Sequence, residues 1–103
     1  MVSWLTRIQY RLRARALYRR LDGNRRGFVR EIAADVSRRA RSAQEAENLA
    51  GESLVRARVE QGTSFGIAEV LLIIQVIVAI WRLLDAMGLL ESATTEKVGE
   101  ILQ

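Results

Sequence analysis

The feature that most limits how this chain can fold is the run IAEVLLIIQVIVAIWRLL at residues 67–84. Between Val70 and Trp81 its only polar residue is Gln75. A helix made from it is apolar on nearly every side, so it must be covered by other helices or by lipid. Its length reaches the lower end of the roughly 17–25 residues needed to cross a bilayer. The aliphatic residues offset Glu69, Gln75 and Arg82, which puts transfer close to the insertion threshold. Trp81 followed by Arg82 has the pattern of an interfacial aromatic beside a snorkelling cation. Proline is absent, so long helices can run without an obligatory kink. The sequence therefore reads as all-α, with extended long helices, little core of its own and one transmembrane helix near the C-terminus, residues 67–88.

Charge is divided along the chain. Residues 1–41 hold twelve arginines against Asp22, Glu31 and Asp35, a net of +9, whereas residues 42–103 hold four cations against nine acids, a net of −5. This asymmetry follows the positive-inside rule and predicts an N-terminus on the cytoplasmic or interior side. The twelve, Arg7, Arg11, Arg13, Arg15, Arg19, Arg20, Arg25, Arg26, Arg30, Arg38, Arg39 and Arg41, are candidates for binding anions or partners. Guanidinium forks suit phosphate and carboxylate. The anion could be nucleic-acid phosphate, lipid headgroup or an acidic protein shell. A basic stretch this long, leading to no small-residue cleavage site, does not read as a secretory leader.

Periodicity divides residues 1–61 into an Arg-rich helical hairpin with helices over about 3–21 and 28–61. In the first, Trp4, Leu5, Ile8, Leu12 and Ala16 share one face, and Tyr10, Ala14, Leu17 and Leu21 nearly the opposite one. Such a helix can touch two neighbours, or lie in a lipid interface with its arginines reaching headgroups. In the second, Val29, Val36, Ala43, Ala50 and Ala57 recur every seven residues, which predicts helix-on-helix packing along an alanine seam. Residues 62–66 read as a glycine-containing hinge, and residues 89–103 as a tail with one short helix. Gly62 and Gly66 have the G-x-x-x-G spacing of close helix contacts, and Gln75 is suited to bond a neighbouring helix.

The stretch LDGNRRGFV, residues 21–29, resembles the start of a calcium-binding helix-loop-helix loop over some eight residues. Arg26 and Arg30 occupy positions that should supply oxygen, and Ala33 stands where a bidentate carboxylate is needed. It reads instead as a corner between helices, with Gly23 or Asn24 in a left-handed cap and Gly27 easing the turn. With no His and no Cys, imidazole and thiolate chemistry is excluded, and no catalytic constellation, metal site or cofactor is expected. The chain is expected to be a non-enzymatic, single-span structural membrane protein within a large homo- or hetero-oligomeric assembly, such as a membrane-containing virion or a multisubunit membrane complex. The alternatives are a soluble basic helical oligomer that binds nucleic acid and a small membrane-permeabilising protein of the holin type.

Overall fold

The computed structural model describes residues 3–103. Five helices follow one another: α1 Trp4–Arg19, α2 Gly23–Arg39, α3 Ala43–Gln61, α4 Ile67–Met87 and α5 Thr95–Ile101. No strand occurs among the described residues. Helix α4 is long and apolar enough to cross a membrane, and it packs against α1, α2 and α3.

Polar caps set the boundaries. Ser3 accepts from the Thr6 N–H at 3.2 Å and starts α1. Asp22 accepts from the Asn24 N–H at 3.3 Å and starts α2 only three residues after α1 ends. Ser42 accepts from the Glu45 N–H at 3.1 Å, while the Glu45 carboxylate accepts from the Arg41 N–H at 3.3 Å. This reciprocal pair is a variant of the capping box and starts α3. Thr94 caps α5 through Lys97 N–H in the same way as Ser3 and Ser42 cap their helices. Gly62 and Gly88 are left-handed, at φ 66° and 71°, and close α3 and α4. After Gly88 the Leu89 N–H reaches back to Leu84 O at 2.9 Å, satisfying a carbonyl the helix end would leave bare.

Three expectations change. The helix expected over 28–61 is two helices, broken at Ala40–Ser42 because the Ser42 and Glu45 side chains offer the backbone N–H groups a better partner than another turn would. The corner expected at 22–27 is the first turn and more of α2, so Gly23, Asn24 and Gly27 are helical and none is left-handed. The extended shape with little core is replaced by a bundle with a Cα radius of gyration of 12.8 Å, the value of a compact domain of about 100 residues.

The break explains the core. It folds α3 back, so α2 and α3 both pack on α4 and on each other. Val29, Ala33 and Val36 of α2 and Ala46, Ala50 and Leu54 of α3 are all buried in one cluster with Ile73, Val76, Ile77, Ile80 and Leu84 of α4. The heptad therefore survives as a buried seam although the helix carrying it does not. Alanines on α3 let that helix approach α4 closely, and α1 covers another flank with Ala14, Leu17 and Tyr18. Of the most apolar eighteen-residue window of α4, 44% is buried inside the bundle, so more than half of it is still partly or wholly open.

Trp81 ties the break to the centre. Its side chain is 6% exposed, and its indole N–H donates to Ala40 O at 3.2 Å, at the end of α2. Replacing Trp81 with Phe should lower the unfolding free energy by about 1–3 kcal/mol, because the Ala40 carbonyl loses its partner in a buried place. Ser42→Ala should cost about 1 kcal/mol. Urea denaturation read by far-UV circular dichroism checks both, and a Trp81→Phe chain as stable as the parent would sever this link.

Candidate docking surface

The arginines separate into two groups once their surroundings are traced. On α2 most of them tie that helix to other parts of the bundle. Arg25 donates through Nε to Glu69 Oε2 at 3.1 Å and through Nη2 to Ser64 O at 2.9 Å, and its guanidinium lies 4.7 Å from the Phe65 ring centroid. Phe65 in turn stacks on Phe28 at 5.9 Å. One side chain thus anchors the α3–α4 connection to the start of α2. Arg26 donates to Arg19 O at 3.2 Å, capping the end of α1, with its guanidinium 5.6 Å from the Tyr18 ring centroid. Arg38 donates to Ala93 O at 2.7 Å, and Arg39 pairs with Asp35 at 2.9 Å. The Arg30 stem lies against Gly99, where an added Cβ would sit 3.6 Å from Arg30 Cδ. These five were expected to face external anions; four of them spend their donors on carbonyls or carboxylates of this chain, Arg39 on its own helix, and Arg30 packs against α5.

The α1 arginines are different. Arg7, Arg11, Arg13, Arg15 and Arg19, together with Arg20 just beyond, make no side-chain hydrogen bond or ion pair among the described residues, and neither does Arg41. Arg15 is half-buried with its Nε unpartnered; Arg7, Arg13, Arg19 and Arg20 are exposed. No acidic residue occurs in α1. The helix turns Ala14, Leu17 and Tyr18 toward the bundle and leaves Trp4, Leu5, Ile8 and Leu12 outside, Trp4 at 70% exposure. Of the two apolar faces read in the sequence, only one has a partner.

A second open strip follows α4. Leu71, Ile74, Gln75, Val78, Ala79 and Arg82 floor a groove of about 330 Å³ between Arg13 of α1 and Glu47 of α3. Gln75 is exposed there and touches no other helix through a hydrogen bond, contrary to the contact expected of it. Gly62 and Gly66 do not form a helix-packing motif: one ends α3, the other precedes α4, and a Cβ at either would meet nothing within 4 Å. Trp81, expected at a lipid interface, is in the core, because its N–H finds a carbonyl partner there and its rings fill the space beside α2. Arg82 beside it is exposed. Comparison with family models, with curated proteins and with solved structures finds no match to this chain.

Composition signalled the arginine-rich half but not its division, since the partners of Arg25 and Arg38 lie 44 and 55 residues away. Arg38→Ala should therefore destabilise the fold by about 1 kcal/mol, through the freed Ala93 carbonyl, whereas Arg7→Ala should stay within about 0.5 kcal/mol of the parent. Thermal unfolding distinguishes them, and equal effects would show that the two groups of arginines do not differ as their contacts suggest.

Proposed function

We propose that this chain is a non-enzymatic structural protein that works at a membrane, as one helical component of a larger assembly, with its basic N-terminal region turned toward the interior side. The observation that carries the reading is apolar surface left on the outside of three helices: Trp4, Leu5, Ile8 and Leu12 on α1, Val55 and Val59 on α3, and Ile67 and Leu71 on α4. A monomer living in water scatters such residues singly, and runs of them mark surfaces meant for lipid or for other subunits. The free arginines beside the α1 run add attraction for an anionic surface, whether lipid, nucleic acid or acidic protein. A membrane-containing virion or a multisubunit membrane complex supplies such surfaces together.

A second reading keeps α4 as a single span. Its 21 residues and apolar composition favour it. That state requires α4 to leave the contacts with α1, α2 and α3 and to break the Trp81 bond to Ala40. The bundle as folded favours attachment at the surface.

Fractionation separates these readings. Expressed in a cell, the full chain is expected to sediment with membranes and to be released by alkaline carbonate. Retention after carbonate would favour the span instead, and a chain found wholly in the cytosolic fraction, bound to nucleic acid, would replace both with a soluble basic oligomer.

A further inference from the structure

The outward face of α1 has an order that distinguishes among the anionic partners left open above. Trp4 and Leu12 are eight residues apart, about 12 Å along the axis, and with Leu5 and Ile8 they form one continuous exposed stripe. At 100° per residue the stripe is bordered on one side by Arg7 and Arg11 and on the other by Arg13 and Arg20. Only beyond Leu12, at its C-terminal end, do cations, Arg15 and Arg19, stand on the stripe itself. From Trp4 to Leu12, apolar residues hold the centre and cations the edges.

That order is the one a bilayer surface needs. Nucleic acid would meet the centre of a docking face with phosphates, and here the centre is Trp, Leu and Ile, with the cations displaced to either side. A second copy of the chain is no better suited. Two α1 stripes face to face would bring together the arginines of both helices with no acid to offset them, since α1 has none. A helix lying in the plane of an anionic leaflet satisfies both parts: the stripe enters the headgroup and acyl boundary by about 5–10 Å, and flanking guanidinium groups reach outward to lipid phosphates on long apolar stems.

We propose that α1 is an interfacial anchor that lies flat in an anionic lipid surface, with its first two turns inserted and Arg7, Arg11, Arg13 and Arg20 on the surrounding headgroups. The anchor rests on the membrane reading above and specifies its lipid-facing element. Arg15 and Arg19 on the stripe tilt the helix, so the Trp4 end sits deeper than the Arg19 end. The inward face of α1 stays on α4 throughout, so docking needs no unfolding of the bundle.

Vesicles containing about one-third anionic phospholipid, compared with purely zwitterionic ones, test this with the full chain. Co-sedimentation should be at least tenfold stronger on the anionic vesicles and should fall steeply with salt. Arg7→Gln with Arg11→Gln should weaken it by roughly 25-fold, at about fivefold per arginine. Ile8→Asp should weaken it about tenfold or more, and because Ile8 points away from the core its far-UV circular dichroism should match the parent. Bromine-labelled acyl chains should quench the parent's tryptophan emission and should leave the remaining emission of Trp4→Phe, which comes from buried Trp81, unquenched. Equal binding to both vesicle types, or an Ile8→Asp chain that binds like the parent, would overturn the anchor. So would quenching of Trp81 in the Trp4→Phe chain, which would mean that α4 enters the bilayer. Loss of self-association or of duplex DNA binding in Ile8→Asp, with vesicle binding intact, would reassign the face to a second copy or to nucleic acid. A chain that fails these vesicle tests yet still fractionates with membranes retains the membrane reading and loses only the anchor.

Discussion

A 21-residue helix with an apolar residue at most of its positions cannot stand in water, and the arrangement of the other four helices is the answer to that constraint. Fully burying an aliphatic side chain contributes about 1.5–3 kcal/mol, and α4 contributes several, with Ile73, Ile77, Ile80, Leu83 and Leu84 all completely enclosed. Short covering helices with small residues are what make the enclosure possible in a chain of 103 residues. Alanines 46, 50 and 57 on α3 contribute little area themselves but bring a backbone within reach of α4's larger side chains. A single α2–α3 rod could have covered only one side. The break at Ala40–Ser42 converts that rod into two walls.

Arginine serves both sides of this arrangement. Within the chain, its planar fork and long stem let it reach carbonyls that no helix satisfies, as Arg26 does at the end of α1 and Arg38 in the segment before α5. Arg25 goes further and combines a carboxylate, a carbonyl and an aromatic ring in one contact. Outside, on α1, the same residue type has no acid within its helix and no hydrogen-bond partner among the described residues. Net charge alone merges these groups, and the +9 of the N-terminal 41 residues overstates what an external anion meets.

Helix content and the dominance of residues 67–87 were legible because they rest on local periodicity and on a run of apolar residues that no other element can mimic. The two faces of α1 were legible for the same reason. Local capping competed with periodicity and won at Ser42, where S-A-Q-E carries a capping signal inside an unbroken heptad. At Asp22 the glycines at 23 and 27 suggested a corner, yet one side-chain bond to the Asn24 N–H was enough to carry the helix through them. Trp81 was misread for a different reason. Its position after an apolar run fits a lipid boundary as well as it fits a core, and the carbonyl that decides between them is 41 residues away.

The seven-residue α5 has a dependence that the other helices do not share. Two turns of helix lie far below the length that is stable alone in water. It packs on α2, with Val98 buried, Gly99 against the Arg30 stem and the preceding Ala93 carbonyl held by Arg38. Among the helix pairs that pack extensively, α5 appears only with α2. Its place in the bundle therefore rests on Ala93, Val98 and Leu102, which join the shared core, together with two arginine side chains of another helix. The C-terminal end is in that sense a passenger on α2, and two of the arginines that carry it are ones that a charge count alone would assign to external anions.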